Sequence, residues 1–224
     1  KILNHNHRIS KMTDIGSNLG YMCVKFNEKF KAECIGYEYE KPTYNKAKKI
    51  IKNKSNIKYF NKGLKISTIK FLDTTDLIVH LNVLHHAGHM YDKKLIKNSQ
   101  DWIKYSIKYL NILSKKSKYL FFQTGNVNYG KNYFLNEETF DLLPKILKVA
   151  GWKIENIGII NFSKIKLKYE TRNLSEIKKF PKILCQRDNE SKKVLYYIKN
   201  KLIFKYNSGF LQRPLFWCKS KNFK

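Results

Sequence analysis

The chain has 224 residues, 42% hydrophobic and 14% aromatic, enough to bury the core of one ordinary domain and too apolar for a disordered or low-complexity protein. No apolar run approaches the ~20 residues that a membrane-spanning helix needs. The formal charge of +28 creates a field that draws polyanions and phosphorylated small molecules, but only four of the 45 basic residues are arginine, the residue that nucleic-acid readers use for bidentate contacts.

In chain order, Thr13-Asp14-Ile15-Gly16-Ser17-Asn18-Leu19-Gly20-Tyr21 reads as a strand end, a glycine turn and a helix start. The spacing of Met22, Cys23, Phe26 and Phe30 predicts a helix after Gly20. Ala32 to Tyr39 makes a second strand that carries Glu38 at its end. The next helix, with Pro42 in its first turn, is expected to bury Tyr44, Ala47, Ile50 and Ile51. Ile57 to Phe60 is a short third strand. Asp76 to Leu84 is a continuous apolar run of the kind that fits a strand covered on both faces, and it delivers His85, His86 and His89 to the mouth of the sheet. A long amphipathic helix follows from Ser99 to Leu113, then a fifth strand from Tyr119 to Gln123 and a turn-rich loop from Thr124 to Gly130. Glu137 to Ala150 is helical with a kink or restart at Pro144, and Gly151 is placed to end it. Ile154 to Asn161 is a sixth strand. Strands alternating with helices in this way imply a mostly parallel α/β sheet.

The rhythm breaks over residues 162–212, where Leu167–Tyr169, Ile183–Cys185 and Leu202–Tyr206 read as short strands and Ser191–Asn200 as a helix. Arg213 to Cys218 then reads as a final strand returning to the sheet. The expected organisation is therefore one domain over residues 1–224, with 162–212 as an insertion or substrate-recognition subdomain. The four cysteines, Cys23, Cys34, Cys185 and Cys218, are scattered with no Cys-x-x-Cys pair, as in a cytoplasmic protein with reduced thiols. No secretory signal is visible, and the sequence begins at Lys1, which leaves room for a preceding piece.

The order of these features resembles the class I S-adenosylmethionine-dependent methyltransferases. Asp14-Ile-Gly-Ser-Asn-Leu-Gly-Tyr21 is similar to their glycine-rich first motif, with Asn18 in place of the middle glycine. Ile35-Gly-Tyr-Glu38 resembles the end of the second strand, whose acid in that family accepts hydrogen bonds from ribose hydroxyls. Asp76 to His86 resembles the fourth strand and its loop, and Leu143 to Trp152 the helix and turn before the sixth strand. The resemblance covers residues 10–160 and the last strand, and it implies a Rossmann-like, seven-stranded, mostly parallel sheet with helices on both faces. It implies S-adenosyl-L-methionine as cofactor, held by Asp14, Gly16, Ser17, Asn18, Gly20, Tyr21, Glu38, Gly63, Leu64 and Asn82. Where the family carries an acid for the adenine amino group, this chain has Asn61-Lys62-Gly63-Leu64, so backbone groups and apolar contact are expected to hold adenine.

Methyl transfer from a sulfonium mainly needs alignment, and a hydroxyl acceptor also benefits from a general base, for which His86 and His85 are the candidates. The same histidines have a competing reading as a divalent-ion site, with His85 and His89 on one helix face and Asp92 or His80 added. The acidic ligands of metal-dependent O-methyltransferases are not evident, and no metal is expected. Gln123, Asn126, Tyr129, Tyr133 and Arg213 are the expected acceptor-binding residues, with Arg172 and Arg187 as further basic candidates. The expected activity is O-methylation of a small polar or anionic acceptor: a sugar, a nucleotide-sugar or a phosphorylated precursor in surface-polysaccharide biosynthesis. The alternatives are an RNA methyltransferase and a non-catalytic, methyltransferase-like binding protein.

Overall fold

The structure, a computed structural model, describes residues 8–52, 54–125, 142–161, 168–176, 194–197, 203–206 and 213–224. Strand β1 (Lys11–Ile15) is central despite its polar lead-in, because the Asp76 carboxylate accepts from Ser10 N, Ser10 Oγ and Lys11 N at 2.8, 2.6 and 2.9 Å. Helix α1 (Tyr21–Phe30) starts at Gly20 and turns Cys23 and Phe26 inward. Strand β2 (Glu33–Tyr37) leads to α2 (Lys41–Ile51), which has Pro42 in its first turn and buries Ala47 and Ile51. Ile50, expected in the core, is 56% exposed, since one residue along a helix turns the side chain about 100° from its buried neighbour. Tyr44 is half-buried and stacks on Tyr59.

Strand β3 (Ile57–Phe60) is followed by a single turn, α3 (Ile66–Ile69), too short to leave a periodic signal in the sequence. Strand β4 (Thr75–Leu81) stops short of the expected Leu84, because Asn82 takes φ +58° and Leu84–His86 coils into a 3-10 turn. Helix α4 (Ser99–Ser114) is capped by Asn98, whose Oδ1 accepts from Asp101 N at 2.9 Å. Strand β5 (Ser117–Gln123) comes next. Helix α5 (Leu143–Val149) begins at the Pro144 restart, and the expected helical residues 137–141 lie outside the described residues.

The remaining strands are β6 (Trp152–Asn161), β7 (Lys168–Arg172), β8 (Val194–Tyr197), β9 (Ile203–Tyr206) and β10 (Leu215–Ser220). The helix expected over Ser191–Asn200 is overturned: Val194-Leu-Tyr-Tyr197 is a run of β-favouring side chains, and it pairs antiparallel with β9. The strand expected at Ile183–Cys185 lies outside the described residues.

The main sheet has the order β3-β2-β1-β4-β5-β10-β6-β7. It has eight strands rather than the expected seven, because β7 adds an antiparallel edge beside β6. β10 is antiparallel to both β5 and β6, filling the slot between two parallel neighbours. Helices cover both faces. Leu77 and Val79 of β4 join Met12, Cys23, Phe26 and Trp217 on the α1 side, while Ile78 joins Trp102, Tyr109, Leu110 and Trp152 on the α4 and α5 side. Double coverage is why β4 reads as an unbroken apolar run rather than an alternating one. Among the described residues no helix is long and apolar enough to cross a membrane, and Cys23, Cys34 and Cys218 are buried free thiols.

Trp152 is fully buried and donates its indole N–H to the Leu110 carbonyl at 3.0 Å, tying β6 to α4. Trp152→Ala is expected to cost about 3–5 kcal/mol, read as a lower urea midpoint with unchanged slope.

Candidate functional site

The carboxyl ends of β1, β2, β4 and β5 and the start of the antiparallel β10 converge on one edge of the sheet. At its centre lies the glycine turn. Gly16 N and Ser17 N both donate to the Tyr37 carbonyl, at 2.9 and 3.0 Å, which bends the chain back against the end of β2. Gly16 sits at φ +72°, and a Cβ there would lie 2.2 Å from Val83 Cγ2 in the loop after β4. Gly20, at φ +78°, hands the chain over to α1. Asn18 also takes a left-handed conformation at φ +50°, which asparagine tolerates better than most side chains.

Two carboxylates hold this turn from opposite sides. Asp14 is buried and accepts from Ser17 Oγ at 2.8 Å. Burial pushes its carboxyl up to about 7; the Ser17 hydrogen bond works in the opposite direction, and the neighbouring Glu38 adds to the rise. Glu38, also buried, accepts from Asn18 N and Glu40 N, both at 2.8 Å, one on each carboxylate oxygen. An ionised carboxylate offers about four acceptor positions, so capacity for a pair of hydroxyls is left. Beside Glu38 are Leu19, 41% exposed, and Tyr39, 64% exposed, with the Gly63 backbone close against the Tyr39 ring. A diol joined to an apolar ring system fits this set of one carboxylate and exposed apolar surface.

Other expected residues are dispersed. The Leu64 side chain points into the core, and its carbonyl accepts from Tyr109 Oη at 3.1 Å. Tyr21 is exposed, with the Lys25 ammonium 5.9 Å from its ring centre. Asn126, Tyr129, Tyr133 and Arg187 lie outside the described residues. Arg172 is exposed on β7 and pairs with Glu170 at 3.4 Å.

Asn82, Gln123 and Arg213 do come together. The Arg213 guanidinium donates Nη1 to Asn82 Oδ1 at 2.8 Å, and Asn82 Nδ2 donates to Gln123 Oε1 at 2.9 Å. Gln123 Nε2 closes the ring on the Arg213 carbonyl at 2.8 Å. Tyr169 of β7, which sequence reasoning missed, donates to that carbonyl at 3.0 Å and accepts from Gln123 at 3.1 Å. The guanidinium lies so close to Gly125 that a Cβ there would sit 2.7 Å from Arg213 Cζ.

Gly125 also meets the histidines. Its N–H donates to His85 Nδ1 at 3.2 Å, and the His85 and His86 rings lie 4.0 Å apart. Burial holds His85 well below the ordinary 6.5, and His86, Arg213, His80 and His89 push it further down. His80 is a fully buried core residue between Tyr109 and Phe122, and burial lowers it to about 4. His85 and His89 share no helix face, since the 3-10 turn ends at His86 and Gly88 follows at φ +88°. Asp92 is engaged by Tyr105 Oη at 2.7 Å and Ile66 N at 3.0 Å. Among the described residues no group of three or more His, Cys, Asp or Glu side chains is arranged to hold a metal.

Two further residues position the turn. A Cβ on Gly36 would lie 2.3 Å from the Tyr59 ring and 2.9 Å from Ser17 Oγ, and the Tyr59 hydroxyl bonds the Asn18 carbonyl. A glycine inside a strand is a sequence signal for such close approach, and Gly36 carried it.

No protein-family model and no curated protein sequence matches the chain. Solved structures do. A protein from Listeria monocytogenes assigned as an S-adenosylmethionine-dependent methyltransferase aligns over 98% of this chain and 94% of its own, at 10% identity and a TM-score of 0.53. The StiE O-MT segment aligns over 96% of this chain and 69% of its own, at 14% identity and a TM-score of 0.53. WbdD, a bifunctional kinase-methyltransferase, aligns over 71% of this chain at 14% identity and a TM-score of 0.51, and the aligned region spans only 34% of the WbdD chain. The fold is thus the mixed α/β, Rossmann-like fold of class I methyltransferases, with one more strand than expected.

Asp14 keeps its proton to about pH 7 in the folded chain and to about 4 when unfolded, so the native state binds the extra proton between those values. Its contribution is complete at low pH and is lost as pH rises through about 7, a loss of no more than about 4 kcal/mol. Asp14→Asn is therefore expected to gain stability relative to the parent chain between pH 5 and pH 8, measured by urea unfolding at each pH.

Proposed function

We propose that the chain is an S-adenosylmethionine-dependent methyltransferase acting on a small polar or anionic acceptor, of the sugar, nucleotide-sugar or phosphorylated-precursor class, as in surface-polysaccharide biosynthesis. The observation that carries this reading is Glu38. A carboxylate fixed at the end of β2 by the amide of the glycine turn itself, at 2.8 Å, stands where two vicinal hydroxyls can be read together. Charge-assisted hydrogen bonds of that kind contribute roughly 1.5–3 kcal/mol each.

In this reading Gly16, Ser17, Asn18 and Gly20 shape the cofactor side, with Asp14 holding the turn through Ser17. Tyr39, Leu19 and Gly63 supply the apolar surface beside Glu38, while Leu64 contributes only from the core. When bound, S-adenosylmethionine supplies an activated methyl on a sulfonium. His85, His86, Gln123 and Arg213 lie on the acceptor side, because Val83, which touches Gly16, joins the two halves of the edge. Asn82 bonds Arg213 and Gln123, and it is reassigned from the cofactor to the acceptor half.

The lysine-rich surface raises the local concentration of any anion, RNA included. Only four of the 45 basic residues are arginine, which favours the small acceptor over RNA.

Calorimetric titration with S-adenosylhomocysteine is expected to give one site per chain, weakened about 10- to 100-fold in Glu38→Ala. An unaltered affinity in Glu38→Ala, with helix content retained by circular dichroism, removes the role given to Glu38. No binding to the parent chain removes the methyltransferase reading.

A further inference from the structure

Resting on the methyltransferase reading, we infer that Asp92 is a positioning residue for the cofactor: its carboxylate, tethered by the Tyr105 hydroxyl, holds the loop after β3 beside Glu38 and sets how tightly the nucleoside end is gripped.

Residues 61–66 run from the end of β3 into the single turn α3. One end of this loop is fixed at Glu38 itself. Asn61 Nδ2 donates to the carbonyls of Glu38 and Tyr39, both at 2.9 Å, and a Cβ on Gly63 would lie 3.0 Å from the Tyr39 ring. A nucleoside whose diol meets Glu38 has this loop as its neighbour.

The other end needs tethers from outside, because a four-residue helix is too short to hold itself together in water. Two reach it. Tyr109 Oη donates to the Leu64 carbonyl at 3.1 Å, and the Ile66 amide donates to Asp92 Oδ2 at 3.0 Å. Ile66 is the first residue of α3, so its amide has no partner inside the helix, and Asp92 supplies one. Tyr105 Oη donates to that same Asp92 oxygen at 2.7 Å. Burial, and then the neighbouring Tyr91, push the Tyr105 phenol well above its ordinary value, so it keeps the proton that it donates. Asp92 thus links α4 to the amide that opens α3.

The backbone of Asp92 suits this task. It sits at φ +51°, a left-handed conformation that a residue with a side chain holds where its surroundings fix it. Asp92 also lies at the far end of the loop after β4 from Val83. Val83 packs on Gly16, and its carbonyl accepts from Tyr91 Oη at 3.2 Å. One loop therefore braces both flanks of the proposed cofactor place, the glycine turn through Val83 and the loop after β3 through Asp92.

Calorimetry on the whole chain with two probes tests this: S-adenosylhomocysteine, and 5′-methylthioadenosine, which keeps the nucleoside and lacks the amino-acid end. Asp92→Gly accepts the left-handed φ and removes the acceptor. It is expected to weaken both probes by about tenfold, the weight of one hydrogen bond to a charged group. Asp92→Asn tolerates the same φ and keeps an acceptor oxygen, and it is expected to stay within about threefold of the parent. Parent affinity in Asp92→Gly overturns the inference. Equal weakening in Asp92→Asn and Asp92→Gly also overturns it, since charge rather than the tether is then the cause. A loss confined to S-adenosylhomocysteine overturns it too, because the damage then lies at the amino-acid end. If Asp92→Gly does not fold by circular dichroism, Tyr105→Phe decides, since it keeps the buried ring and removes the tether. A loss of about three- to tenfold for both probes is expected there, and parent affinity overturns the inference. In each of these outcomes binding to the parent chain leaves the methyltransferase reading standing. No binding of either probe to the parent chain removes that reading and this inference with it.

Discussion

The structure depends on a turn held between two carboxylates of different character. Asp14, buried and bonded by the Ser17 hydroxyl and the Cys23 thiol, fixes the turn from inside the sheet, and Glu38 fixes it from the end of β2 through the Asn18 amide. A sharp backbone turn leaves amides without strand partners, and buried amides must be bonded. Here the Tyr37 carbonyl takes two of them, Glu38 a third, and the Ser17 carbonyl, inside the turn, takes the Gly20 amide. Tyr59 reaches the Asn18 carbonyl from β3 across the gap left by Gly36. The turn is therefore held from β1, β2 and β3 at once.

The other half of the edge depends on topology. β10 enters between β5 and β6 in the opposite sense to both, so its first residues meet the ends of its neighbours. That is how Arg213, more than a hundred residues from Asn82 in the chain, comes to bond it. The extra strand β7 contributes Tyr169 to the same ring, so β7 is tied to Gln123 and Arg213 through one hydroxyl. Cooperative hydrogen bonding around a closed ring stiffens every member, the guanidinium included.

Much of the glycine turn and its two carboxylates was legible in the sequence because it is local. Asp14, Gly16, Ser17, Asn18 and Gly20 fall within seven residues, and Glu38 closes the very next strand, so propensity and glycine geometry locate them together. The Asn82–Gln123–Arg213 ring was legible only in part. Gln123 and Arg213 could be named from strand ends, but Tyr169 could not, since its partner lies across a strand pairing that no local pattern announces. The placement of the Leu64 side chain was hidden for a related reason. A residue beside a ligand loop and one that plugs the core beneath it look alike until Tyr109 is seen to bond its carbonyl. The misread helix at Ser191–Asn200 shows charge and polarity outweighing β propensity on paper, while in the fold the Val-Leu-Tyr-Tyr run finds a strand partner.

The charge of the chain acquires two separate meanings from this. Lysine on the surface acts at long range, falls off with salt over a Debye length of about 8 Å, and selects only for sign. It gathers anions without choosing among them. Arg213 is the opposite case: a guanidinium that is 3% exposed, oriented by an amide oxygen at 2.8 Å and next to a neutral imidazole. A group so placed is screened little by salt. Among four arginines and a large excess of lysine, the chain has put an arginine at the end of the strand that runs against its neighbours. In the methyltransferase reading proposed above, selectivity for an acceptor is expected to draw on that buried guanidinium, with the surface charge governing only how fast anions arrive.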